Sequence, residues 1–160
     1  MAALGEAFVL DEAALAVVRD AAAPRKRPLR STADEFWDVL ERESSSQLSY
    51  QWSGLVLATL LAYLDEQGIR LMNSEYDETS TYLSQIRSGS IFVLTPEQRD
   101  HYFERLDPDR FDGADLRRYY EEFTETDADG VEEPMLGGVR FLRDTLAALD
   151  DSTVAVLVVA

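Results

Sequence analysis

The chain has 160 residues, with 15 Lys plus Arg against 31 Asp plus Glu, a formal net charge of −16. That length predicts one globular domain, residues 1–160, long enough to bury a sizeable core, and 46% hydrophobic residues exclude disorder of the whole chain. The absence of cysteine excludes disulfides, thiolate metal sites and a cysteine nucleophile, and fits a reducing compartment.

Acid outnumbers base about two to one, which speaks against nucleic-acid binding, since phosphate contacts need clustered Lys and Arg. An anionic membrane surface is repelled for the same reason. A basic protein or a multivalent cation is electrostatically allowed, and the charge also serves solubility. Arginine supplies 14 of the 15 basic residues, which with the many alanines indicates a GC-rich coding sequence and a bacterial origin. Lys26, the one lysine, lies in a Pro-flanked basic stretch, a poor place for a desolvated catalytic amine. The N-terminus lacks a basic region followed by an apolar one, so no secretory signal is expected. The longest apolar run, Leu55 to Leu64, is shorter than the roughly 20 residues that span a bilayer. A soluble, cytoplasmic protein is the expectation.

Ala7-Phe8-Val9-Leu10 predicts a first strand. Asp11 follows as an N-cap for an alanine-rich helix holding Leu15, Val17 and Val18. Pro24-Arg25-Lys26-Arg27-Pro28 ends that helix as a connector, read as a solvated loop rather than an anion-binding patch. Thr32-Ala33-Asp34-Glu35 has the capping-box pattern before Phe36, Val39 and Leu40, and Ser44-Ser45-Ser46 breaks the helix. Tyr50 to Leu64 leaves almost no polar face and predicts a buried central helix, in which Gly54 marks close packing and Gly68 ends the chain's turn out.

After an irregular stretch from Arg70 to Asp77, Glu78 to Arg87 predicts a short helix with Tyr82, Leu83 and Ile86 inward. Ser88-Gly89-Ser90 is a turn and Ile91-Phe92-Val93-Leu94 a short buried strand. Thr95-Pro96-Glu97-Gln98 is a helix start, with threonine at N-cap, proline at N1 and glutamine at N3. Tyr102, Phe103 and Leu106 form that helix's stripe, and Asp107-Pro108-Asp109 makes a turn. Gly113 to Phe123 predicts a helix with Leu116, Tyr119, Tyr120 and Phe123 on one face. Pro134 opens a last helix carrying Val139, Leu142, Leu146 and Leu149. Gly137-Gly138, near its start, points to close helix packing or to the close approach of a ligand. Thr153 to Ala160 is apolar without alternation, the mark of a strand buried on both faces. The whole reads as α+β and helix-dominated: about seven helices and a small sheet of about three short strands, including the C-terminal one. The first and last strands are expected to pair, with 91–94 beside them.

Motifs that carry chemistry are few. Glu125-Thr126-Asp127-Ala128-Asp129-Gly130 resembles the start of a calcium loop, but Glu132 stands where an apolar residue is needed and Leu136 where a bidentate glutamate is needed. The segment is read as a solvated acidic loop, and no metal site or cofactor is expected. Gly-x-Ser-x-Gly and the common nucleotide-binding glycine loops do not occur. His101, the one histidine, is placed near the surface with Glu97 and Glu104 for neighbours, without a motif that supplies a nucleophile or an orienter.

These absences leave the question of an enzyme open and favour a protein-interaction module that binds a basic partner, in the manner of an inhibitor or immunity-type protein. Its candidate face is Tyr119, Tyr120, Glu121, Glu122, Glu125, Asp127 and Asp129, within a 121–133 segment of seven acids and no base. The alternative is a small enzyme or ligand-binding domain using carboxylates and tyrosine, with Glu75, Tyr76, Asp77 and His101 as the candidate ligand site. A homo-oligomer is a third option, by pairing of the valine-rich terminal strand if it lies at a sheet edge.

Overall fold

The C-terminal apolar run becomes the strand around which the rest is arranged. The computed structural model describes residues 4–24, 35–87 and 89–160. The basic run Arg25 to Arg27, the capping pattern that starts at Thr32, and Ser88 lie outside the described residues. In chain order the elements are β1 (Gly5–Asp11), α1 (Leu15–Ala22), α2 (Glu35–Glu43), β2 (Ser44–Tyr50), α3 (Gly54–Glu66), α4 (Asp77–Arg87), β3 (Ser90–Leu94), α5 (Pro96–Tyr102), α6 (Gly113–Thr124), α7 (Glu132–Ala147) and β4 (Thr153–Val159). Short 3-10 turns at Glu12–Ala14, Glu104–Leu106 and Pro108–Arg110 link them. The fold is α+β and helix-dominated, with a four-stranded antiparallel sheet in the order β2-β1-β4-β3.

The expected pairing of the first and last strands, with 91–94 beside them, is what the sheet shows. The strand count is corrected from about three to four. Ser44-Ser45-Ser46, read as a helix break, opens β2, and Tyr50, read as the first residue of the buried helix, closes it. β2 is polar and buries only Tyr50, so it carries no hydrophobic signature of a strand. Its register against β1, from Gly5 with Tyr50 to Val9 with Ser46, is a tertiary fact. The helix after it starts at Gly54, where the Ser53 side chain accepts a hydrogen bond from the Leu55 N–H at 3.2 Å. Gly54 is therefore a first-turn residue and carries no interior-glycine cost.

Both faces of the sheet are covered. Ala7 and Val9 of β1, with Ala155, Leu157 and Val159 of β4, pack against α3, α6 and α7. Phe8 and Leu10, with Val154, Val156 and Val158, pack against α1, α2 and α4. Two-sided burial explains why β4 is apolar at every position, a pattern commoner in parallel sheets. With β1 on one side and β3 on the other, β4 has no free edge, which closes the route to a homo-oligomer through this strand.

Several local signals hold in detail. Thr95 and Gln98 form the reciprocal capping box at the start of α5. Gly68, at φ 82°, ends α3 with the Ile69 N–H on the Leu64 carbonyl at 2.8 Å and its own N–H on that of Asp65 at 3.0 Å. Gly137 and Gly138 let α7 close on its neighbours: a Cβ would stand 2.2 Å from the Trp52 ring at the first and 2.6 Å from Leu60 at the second. Among the described residues no helix is long and apolar enough to cross a membrane.

Candidate functional site

The acidic face is built on α6. Asp112 starts the helix by accepting the Ala114 N–H at 2.9 Å, and Leu116 is its one buried side chain. The stripe read as a single core face is thus a graded one. Tyr120 is half-buried against the core near Tyr50, and Tyr119 is half-buried at the rim. The Tyr119 hydroxyl donates to Glu66 at 3.0 Å, and burial together with that carboxylate pushes its pKa up to about 12. Its ring meets Tyr63 edge-on at 5.1 Å and stacks on Phe123 at 5.9 Å and 20°. Phe111 extends the ladder beyond Tyr63 at 6.5 Å. The outermost ring, Phe123, is 54% exposed. Neither tyrosine is the exposed aromatic of this face; Phe123 is. The sequence signal for it was its place at the last turn of α6 between Glu122 and Glu125, beyond the reach of the core.

The acids divide into two sets. Arg117 holds Glu121 at 2.7 Å, Asp129 at 2.5 Å and Glu132 at 3.5 Å, joining α6, the following loop and α7. Glu121 also accepts the Ala128 N–H at 3.2 Å. Asp129, a ligand position in the incomplete calcium pattern, is therefore spent on a guanidinium. Glu122, Glu125 and Asp127 are exposed and have no ion-pair or hydrogen-bond partner among the described residues. Glu125 ends α6 in the left-handed region at φ 55°, a backbone state costing a non-glycine residue about 1 kcal/mol. Three of the five predicted acids are thus unpaired among the described residues, while Glu121 and the still exposed Asp129 are paired with Arg117.

The Arg117 hydrogen bond, and then the Ala128 N–H, hold the Glu121 carboxyl below the usual carboxylate range. Its folded pKa lies below its unfolded one, so its contribution is present above the ordinary carboxylate pKa and is lost as pH falls through the depressed value. The stability gap between the natural chain and Glu121→Gln is expected to narrow as urea unfolding is moved from neutral pH to below the carboxylate range. A gap of constant size would show that the Arg117 bridge does not control the acid limb.

The second candidate site is brought together in part. Glu75, Asp77 and His101 line one cleft of about 330 Å³ between the 70–77 segment and α5, with Arg70 and Glu97 beside them. Tyr76 faces elsewhere. Its hydroxyl donates to Glu12 in a separate cleft of about 500 Å³, with Arg19 and Thr79, where burial and that carboxylate raise its pKa. Asp77 is occupied as well: it accepts the Ser74 N–H at 2.7 Å and the Asn73 amide at 3.3 Å, capping α4. His101 is exposed and makes no hydrogen bond among the described residues, so no base with an orienting partner is assembled here. What the cleft offers is hydrogen bonding from one imidazole, the exposed Glu75 and Glu97 carboxylates and the exposed Arg70 guanidinium.

Among the described residues no group of three or more His, Asp or Glu side chains is placed to hold a metal ion. No family model matches the chain, and no curated protein matches it with significance. Among solved structures it is similar to a protein of unknown function, YfbM, from Escherichia coli, at 12% identity and a TM-score of 0.48, over 98% of this chain and 99% of the other.

Proposed function

We propose that the protein is a non-enzymatic interaction module that captures a basic protein on the C-terminal end of α6, in the manner of an inhibitor or immunity-type protein. One observation carries this reading: Phe123 stands 54% exposed on the Tyr119 ring, with the carboxylates of Glu122, Glu125 and Asp127, unpaired among the described residues, close to it in the chain. A stacked aromatic flanked in the chain by carboxylates combines an anchor that a partner would desolvate with long-range steering of a cationic partner. The net charge of −16 acts in the same direction at distance.

The test is affinity capture from a native lysate at low and high salt, read by mass spectrometry. One basic protein is expected at low salt and is lost at high salt. Replacing Glu122, Glu125 and Asp127 by their amides is expected to weaken capture and flatten its salt dependence. Phe123→Ala is expected to cost on the order of 2 kcal/mol of binding, read as faster dissociation. Unchanged capture by both variants would remove this face from consideration. An empty capture would shift the reading to the Glu75, Asp77 and His101 cleft, the alternative of a small enzyme or ligand-binding domain, for which a thermal-shift ligand screen is the next step.

A further inference from the structure

The sheet has two edge strands, β2 and β3, and they differ in how their outer backbone groups are treated. On β3 the Ile91 N–H donates to the Ser84 hydroxyl at 2.8 Å, that hydroxyl donates back to the Ile91 carbonyl at 3.1 Å, and the Val93 N–H donates to Ser80 at 3.2 Å. Helix α4 thus closes this edge. On β2 nothing equivalent is found among the described residues. The Ala160 N–H bonds to the Leu4 carbonyl at 3.2 Å and the Glu12 N–H to the Ser152 carbonyl at 2.9 Å, so even-numbered residues of β1 face β4 and odd-numbered ones face β2. Tyr50, Leu48 and Ser46, opposite Gly5, Ala7 and Val9, turn their backbone groups inward. Gln47 and Ser49 present theirs outward. Ser44 to Tyr50 contains no proline and no charge, the usual devices that discourage strand pairing.

Beside this edge lies a cleft of about 390 Å³ whose apolar wall is Tyr50, Trp52 and Phe141, with ring separations of 5.5 and 5.7 Å from Tyr50. Arg140 at its rim is held by Glu133 at 2.8 Å, while the exposed Asp144 carboxylate has no partner among the described residues. On the opposite face of the strand Gln47 lies 3.5 Å from Glu6.

We propose that β2 is a strand-addition site that takes an extended, alternating apolar and basic segment of a partner as a fifth strand. Apolar side chains on one face enter the Tyr50, Trp52 and Phe141 cleft beside Asp144. Long basic ones on the other face reach across Gln47 and Ser49 toward Glu6 on β1. Main-chain bonds to Gln47 and Ser49 supply affinity, and the cleft and carboxylates supply selectivity. A second copy of the chain is disfavoured as the occupant. Both bodies carry −16, so a second copy brings no cations to Asp144 or Glu6, and the Leu48 and Tyr50 side chains of its β2 are already packed on its own core. The basic character of the segment rests on the partner reading above; the strand addition itself does not.

The probe is a heptapeptide alternating lysine with valine or phenylalanine, blocked at both ends. Binding is expected to slow amide hydrogen exchange at Gln47 and Ser49 and to shift Trp52 emission. Ser49→Pro deletes an outward donor that no ladder bond uses and is expected to weaken binding roughly tenfold. The same peptide N-methylated at alternate residues, which blocks one edge and leaves the protein untouched, is expected to lose binding. Absence of protection at Gln47 and Ser49, or equal binding of the N-methylated peptide, would overturn the strand addition. Equal binding of a glutamate-for-lysine peptide would overturn the basic specificity. Dimerisation of the protein that Ser49→Pro abolishes would hand the edge to a second copy. Failure of the Phe123 variants in capture leaves the exchange-protection and N-methyl outcomes unchanged, so the strand addition and the partner reading fall separately.

Discussion

Replacing Val156 by aspartate is expected to empty the folded state at room temperature or bring it close to unfolding. Val156 is 0% exposed, at the centre of β4 between Phe8 of β1 and Val93 of β3, under the layer of α1, α2 and α4. The core it joins is apolar, with the Arg87 guanidinium at its margin over the Phe36 ring at 4.5 Å. Aspartate there forfeits the burial of valine, about 1.5 kcal/mol, and adds an uncompensated buried charge costing about 3–5 kcal/mol. The sum, about 4.5–6.5 kcal/mol, reaches the lower end of the stability of a typical domain, about 5–15 kcal/mol. A fall in melting temperature of more than about 10 °C by far-UV circular dichroism is the expected reading. Val17→Asp is the control. Val17 is 45% exposed on α1, and its change is expected to stay within about 0.5 kcal/mol. A melting temperature for Val156→Asp near that of the natural chain would show that β4 is not the centre of the sheet.

The second large effect is expected at Gln98. This side chain is 6% exposed, and its amide nitrogen donates to the carbonyls of Arg70 at 3.0 Å, Leu71 at 3.4 Å and Asn73 at 2.8 Å. Its oxygen accepts the Thr95 N–H at 2.9 Å. One glutamine therefore satisfies an irregular segment that has no ladder or helix of its own. Gln98→Leu keeps the volume and leaves the Thr95 donor and these carbonyls without their partner. The cost is expected to be about 3 kcal/mol, below the sum of individual penalties because water reaches part of the segment. Amide exchange confined to residues 69–77 and 95 is expected to accelerate with it. Thr95→Ser, which retains the capping hydroxyl, is expected to change little. A Gln98→Leu variant within about 0.5 kcal/mol of the natural chain would mean that the 70–73 carbonyls are solvated without it. The same residue sets the wall that carries Glu75 and Asp77, so a ligand in that cleft would sense the variant too.

Part of the candidate site was legible from residue type and spacing. The acidic surplus after Glu121, the α6 periodicity and the proximity of His101 to Glu97 needed no coordinates. The engagement of Glu121 and Asp129 by Arg117 did, because it joins three elements separated in the chain. So did the exposure of Phe123 and the turning of Tyr76 away from its sequence neighbours Glu75 and Asp77. A periodic pattern states which residues share a helix face, not how far along that face the core extends.

The same division holds for the fold. The Thr95 capping box, the Gly68 helix end and the burial of β4 on both faces were determined by the sequence alone, because each depends on residues within a few positions of one another. The pairing of the terminal strands followed from their being apolar enough to need cover. β2 was decided only by tertiary structure. Serine-rich and polar, it has no reason to be a strand except that β1 exposes an edge to it, and backbone hydrogen bonding across that edge is indifferent to side chain. That no hydrogen bond closes the outer edge of β2 among the described residues is likewise a property of the assembled sheet, and local propensity carries no trace of it.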